Sequence, residues 1–180
     1  MTTHILSSTL LLLLCLSASP STAQQAPEAT GSTVSRMDAQ EALDFHNKIR
    51  KNVGSPPLSW SVKLAEYAQA WANQLANSGC KIKHRPRSGE WQQKYGENIY
   101  WCNGFVATAM NASENWYSEI KNYKHARLSN ENWQGCGHYT QMVWKTSTMV
   151  GLGVATCENG AMIIVANYDP PGNFMGAWAY

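Results

Sequence analysis

At 180 residues with a formal charge of +2, the chain suits one domain with a substantial core and is a poor fit to two. Charge so near balance argues against nucleic acid as a main partner, because phosphate binding is driven by clustered Lys and Arg that release counterions. The one basic run, Lys81-Ile82-Lys83-His84-Arg85-Pro86-Arg87, is broken by proline and reads as a solvated loop.

Residues 1–23 hold no Asp, Glu, Lys or Arg, and carry an apolar block at 10–16 and small Ser21 and Ala23 ahead of Gln24. This is the pattern of a secretory signal peptide, and the block is too short to span a bilayer. No later stretch is apolar enough for a transmembrane segment, so a secreted, extracellular protein is expected. Residues 24–36, rich in Ala, Gln, Thr, Ser and Gly, are expected to be a flexible leader, with one domain over 37–180. Asp38 followed by Glu41 makes a capping-box-like helix start, and Ala42, Phe45, Ile49 and Val53 recur at helical spacing up to Gly54. Pro56-Pro57 forces an extended link. From Ser61 to Ser78, Leu64, Ala68, Trp71 and Leu75 share one face of a second helix that stops at Gly79.

Residues 80–104 show no sustained period and read as a long irregular segment, of the kind that is usually functional or tied down. A third helix is predicted from Thr108, burying Ala109, Trp116, Ile120 and Tyr123, followed by a polar loop over 122–135. The period then changes. Residues 139–145, 150–157 and 161–167 read as strands, with His138 at the mouth of the first, and Glu158-Asn159-Gly160 signals a hairpin of type I′. Helices followed by an antiparallel sheet define an α+β arrangement, closed by a turn-rich tail over 168–180.

Four cysteines remain once Cys15 leaves with the signal: Cys80, Cys102, Cys136 and Cys157. An even count in an exported chain implies two disulfides, and the residues leave all three pairings open. The histidines outside the signal show no His-Glu-x-x-His spacing, and no Gly-x-Ser-x-Gly elbow is present. His46 with Asn47 and Arg50 reads as a hydrogen-bonding cluster, and His125 as a surface residue. Trp60, Trp71, Trp116 and Trp144 read as core. Asn111-Ala112-Ser113 is a glycosylation sequon, early in the third helix.

Two longer runs are more specific. Gly137-His138-Tyr139-Thr140-Gln141-Met142-Val143-Trp144 and Ala166-Asn167-Tyr168-Asp169-Pro170-Pro171-Gly172-Asn173-Phe174-Met175-Gly176 resemble the two signatures of the CAP superfamily, which includes cysteine-rich secretory proteins, venom antigens and pathogenesis-related proteins. His46-Asn47-Lys48-Ile49-Arg50, Leu58-Ser59-Trp60, Gly96-Glu97-Asn98-Ile99-Tyr100 and Trp116-Tyr117-Ser118-Glu119 resemble its other segments, in order. The resemblance implies a three-layer α-β-α sandwich with a small, mainly antiparallel sheet. It also implies a cleft tetrad of His84, Glu97, Glu119 and His138, and a Cys80–Cys157 bridge, which leaves Cys102 to pair with Cys136.

In such a cleft His84 and His138 are the metal candidates, for zinc or another exchangeable divalent cation. The resemblance favours non-enzymatic binding of a sterol or other small lipid in a defence, venom or host-interaction role, with Ile99, Tyr100, Trp101 and Phe105 as contacts. Two alternatives stand beside it. One is a metal-dependent hydrolase or protease, with Glu97 or Glu119 as the catalytic base. The other is an interaction protein that blocks an extracellular channel or receptor.

Overall fold

The computed structural model describes residues 26–180; the expected signal peptide lies outside the described residues. Four strands form one sheet in the order β1 (Ser59–Trp60), β3 (Met149–Thr156), β4 (Met162–Asp169), β2 (Gly96–Cys102). β1 runs parallel to β3, and the other pairs are antiparallel. α2 (Val62–Asn77) covers one face, while α1 (Arg36–Asn52), α3 (Ala109–Tyr117) and α4 (Gly137–Met142) cover the other. The expected α-β-α sandwich is present.

Strand alternation divides the core between the layers. Val150, Leu152, Ile164, Ala166 and Tyr168 pack toward α1 and α3, whereas Ile99, Ile163 and Val165 pack with Ala68, Trp71 and Leu75 of α2. The four tryptophans read as core are all buried. The helix caps are local. Ser61 and Thr108 accept from the backbone N–H groups of Leu64 and Asn111. In the capping box of α3 the Asn111 side chain accepts back from Thr108 N, and the sequon's Ser113 hydroxyl is buried against Ala109 O at 2.8 Å.

Several expectations are corrected. The segment expected to be a flexible leader is docked from Ala26 onward. Ala26 and Val34 are buried, Trp60 Nε1 donates to Thr30 O at 2.9 Å, and Thr33 Oγ1 donates to Val154 O at 2.9 Å. α1 starts one turn earlier than Asp38, at the Ser35 cap. The Asp38 carboxylate instead accepts from Ala109 N and Met110 N at 2.8 and 3.1 Å, capping α3 from a neighbouring helix. α3 tightens into a 3-10 turn over Ser118–Asn122, which leaves Ile120 at 38% exposure rather than in the stripe.

The segment read as a strand beginning at Tyr139 is helix α4, and β2 lies inside the stretch read as irregular. Tyr139, Met142 and Val143 stand at i, i+3 and i+4 as well as in an aromatic and β-branched run, and tertiary packing selects the helix. The β3–β4 hairpin is present, but only Gly160 adopts positive φ; Gly160 N donates to Cys157 O, and Cys157 N to Ala161 O. This is a turn closed by a glycine bulge, not type I′.

Cys80–Cys157 forms and ties the end of α2 to the hairpin. The expected Cys102–Cys136 bridge does not: both thiols are free and buried. Asn98 of β2 touches α4, and four further residues of strand carry Cys102 about 13 Å away, whereas a disulfide needs its Cα atoms within about 7 Å.

Candidate functional site

The tetrad is built as two His–Glu pairs on either side of the free edge of β2. Glu97 and Asn98 are neighbours in that strand, so their side chains leave by opposite faces. On the α2 side, His84 Nδ1 donates to Glu97 Oε1 at 2.8 Å. The Glu97 side chain is sealed (0% exposed), while that of His84 is 54% exposed. On the other side, His138 Nδ1 donates to Glu119 Oε1 at 2.7 Å. Glu119 Oε2 accepts from His138 N at 2.8 Å and Tyr139 N at 3.3 Å, the first turn of α4. Asn98 Nδ2 reaches across to His138 O at 3.0 Å, which joins the two halves.

The two carboxylates are held by different means. Burial by itself would raise the Glu119 carboxyl, but the His138 hydrogen bond and charge, with the backbone N–H groups of Tyr139 and His138, hold it below the usual range. Glu97 instead has the Arg85 backbone N–H at 3.1 Å and the Arg85 side chain at 3.8 Å. Arg85 is buried, which corrects the reading of residues 81–87 as a uniformly solvated loop. That loop and the segment after it are fastened to α2: Trp71 Nε1 donates to Lys83 O at 2.9 Å and Tyr67 Oη to Gln92 O at 2.8 Å.

In both pairs a carboxylate occupies Nδ1, so each ring presents Nε2 outward, the orientation that metal-ligating histidines adopt. Among the described residues no group of three or more His, Cys, Asp or Glu side chains is placed to hold a metal ion. Of the expected lipid contacts, Ile99 is buried beneath α2 and Tyr100 is half-buried. Trp101 and Phe105 are exposed at 41% and 52%, and Val106, absent from the expected set, is the most open at 84%.

Sequence reasoning also missed a buried chain behind the site. His46 Nδ1 donates to Ala42 O at 2.7 Å, which leaves Nε2 to accept from the Tyr168 hydroxyl at 2.9 Å. Tyr168 in turn accepts from Asn98 Nδ2 at 3.4 Å, the group that holds the His138 carbonyl. Burial is the main cause that pulls the His46 pKa from 6.5 to about 4, aided by Arg50 and opposed by the bond to Ala42. Between those values the unfolded chain binds the proton and the folded chain does not. Stability is therefore intact above pH 6.5 and falls with pH, by about 3 kcal/mol in all on reaching the folded value. Urea midpoints measured from neutral pH to pH 4 should show this slope, and His46→Gln should flatten it; an unchanged slope in the variant would refute the assignment.

With this geometry in place, the chain is found to belong to the CAP family: the pattern of the cysteine-rich secretory protein family matches residues 43–168. Among its relatives, pathogenesis-related protein 1C of Nicotiana tabacum is 43% identical over 141 residues, 78% of this chain and 80% of the relative. Golgi-associated plant pathogenesis-related protein 1 of Homo sapiens is 36% identical over 143 residues, 79% of this chain and 89% of the relative. Among solved structures, BmVAL-1 aligns with a TM-score of 0.72 at 28% identity over 83% and 84% of the two chains. NaASP2 with Zn2+ aligns at 0.68 and 25% identity over 79% and 85%.

Proposed function

We propose that this is a secreted, non-enzymatic binding protein of the pathogenesis-related type, acting in defence and taking a sterol or another small lipid at the segment joining β2 to α3. One observation carries the reading. From Asn98 to Ser113 the chain holds no Asp, Glu, Lys, Arg or His, and Trp101, Phe105 and Val106 stand open at its turn. Large apolar side chains gathered without charge on one exposed turn suit an apolar ligand. Secretion is supported by the sequence of residues 1–23, and among the described residues no helix is long and apolar enough to cross a membrane.

The hydrolase alternative requires a carboxylate free to take a proton from water. Glu119 uses both oxygens on donors, and Glu97 is sealed against His84 and Arg85. A second reading is that the two imidazoles take a divalent cation of zinc type, for which neutral histidine nitrogens are good ligands. The Nε2 atoms of His84 and His138 would hold it with water completing the shell, so that it exchanges rather than building the fold. When bound it would supply a positive charge and a Lewis acid, and the protein's part would be the orientation of the two rings. The relative NaASP2 with Zn2+ supports this second reading.

The test uses the secreted protein with a labelled sterol and a labelled fatty acid. Saturable binding is expected, unaffected by chelation, and weakened about 10-fold or more by Phe105→Asp with Val106→Asp, since burying one large apolar side chain is worth roughly 1.5–3 kcal/mol. The absence of saturable binding to either lipid would end the proposal.

A further inference from the structure

Arg85 has no place in the expected tetrad, yet it is enclosed more tightly than His84 beside it, at 5% exposure. Its guanidinium carbon lies 3.7 Å from the centre of the Tyr67 ring, 5.0 Å from Trp71 and 5.1 Å from Trp91. Nη2 donates to Tyr67 O at 2.7 Å. The backbone N–H of Arg85 donates to Glu97 Oε1 at 3.1 Å, the same oxygen that receives the His84 proton. Its Nε faces Glu97 Oε2 at 3.8 Å, and these two buried atoms have no other partner.

A planar guanidinium among aromatic faces is held by stacking and cation–π attraction, which an ammonium matches poorly. Tyr67 and Trp71 belong to α2, so the cage is anchored on the scaffold and does not depend on Glu97. A carboxylate cut off from water is costly unless a cation or several donors face it, and Arg85 supplies both a cation and an N–H. The order of support therefore runs from the cage to the guanidinium, to the carboxylate and then to the exposed imidazole. We propose that Arg85 is a positioning residue: caged by Tyr67, Trp71 and Trp91, it fixes the Glu97 carboxylate so that His84 carries its proton on Nδ1 and offers a bare Nε2 to the cleft. This rests on the reading of His84 as a cleft ligand, but the tautomer is a property of the free protein. His138 serves as the internal control, because its carboxylate is held by backbone N–H groups of α4 instead.

Long-range proton–nitrogen correlation spectra of the 15N-labelled protein above neutral pH report which ring nitrogen carries the proton. In the parent, His84 and His138 should both show a single form protonated at Nδ1. Arg85→Met should average the His84 pattern between the two tautomers and leave His138 unchanged; Arg85→Lys should restore it in part. A parent-like His84 in Arg85→Met, or a lysine variant no better than methionine, overturns the proposal. Should Arg85→Met not fold, Trp91→Leu opens the cage from the loop side and should move the His84 pattern in the same direction; no movement overturns it equally. Zinc titration followed on the same signals separates the two readings. A parent whose rings ignore zinc while His84 keeps one tautomer ends the cation reading and leaves the role of Arg85 standing. Where zinc binds, Arg85→Met should weaken it about 10-fold or more, the usual effect of losing an outer-shell partner.

Discussion

Gly153→Ala is expected to cost the domain about 3 kcal/mol or more and to shift its urea midpoint accordingly. Gly151 and Gly153 lie on the α2 face of β3, where Ala155 also points. A Cβ at Gly153 would fall on the backbone nitrogen and Cα of Gln69, and 2.8 Å from Ala68 C. One at Gly151 would fall on Ala65 N and lie 2.6 Å from Leu64 C. The obstacle is helix backbone, not the end of a flexible side chain, so the added methyl cannot be absorbed by a rotamer change. The close approach also serves the hydrogen bonds between the layers: Gln69 Nε2 donates to Val154 O at 2.7 Å, and Val154 N donates to Gln69 Oε1 at 3.1 Å. Because α2 carries Tyr67 and Trp71, a helix pushed off the sheet also loosens the support of His84. Gly160→Ala, at a positive φ with nothing within 4 Å, is the comparison, expected to lose only about 1 kcal/mol. A Gly153→Ala midpoint equal to the parent's would show that α2 does not rest on bare strand backbone.

Glycines that end a helix are legible in the sequence, whereas Gly151 and Gly153, which admit α2 onto β3, carry no local signal. The helices α1 and α2 were readable because their apolar stripes and stop signals are local: Gly54 and Gly79 both take positive φ just past a helix end. The Glu158-Asn159-Gly160 hairpin was readable for the same reason. β2 was not, because Ile99 faces α2 while Tyr100 and Cys102 face the other layer. A strand buried on both sides shows no polar alternation. α4 was misread since six residues hold too few turns to separate a period of 3.6 from one of 2. The tetrad residues became legible only through resemblance, since no local spacing links positions 84, 97, 119 and 138. Arg85 stayed hidden in a run whose other charges are exposed; the aromatic residues that enclose it lie elsewhere in the sequence.

Arg50→Met is expected to destabilise the domain by about 3 kcal/mol or more, because it strips buried carbonyls of a charged donor and each such loss costs about 1–3 kcal/mol. Arg50 is fully buried, and four of its five N–H donors are spent on carbonyls: Nε on Pro56 O at 2.7 Å, Nη1 on Met142 O and Trp144 O at 2.8 and 3.0 Å, and Nη2 on Ser147 O at 2.8 Å. Burial pulls its pKa down to about 10, still far enough above neutrality for the guanidinium to remain charged. Met142 and Trp144 stand at the C-terminal end of α4, where a positive charge complements the helix dipole. Methionine fills much of the volume but leaves four carbonyls facing apolar surroundings. Lysine keeps the charge, yet one ammonium cannot reproduce a planar fork aimed at three chain segments, so Arg50→Lys should recover only part of the loss. The effect should also be local. Hydrogen exchange over residues 137–147 should quicken more than over α2, because α4 is pinned at one end by Arg50 and at the other by Glu119. His138 lies at the Glu119 end, so its ring should lose its single tautomer in Arg50→Met while His84 keeps its own. A lysine variant within about 0.5 kcal/mol of the parent, a spread ordinary for surface substitutions, would reduce Arg50 to a buried charge whose geometry does not matter.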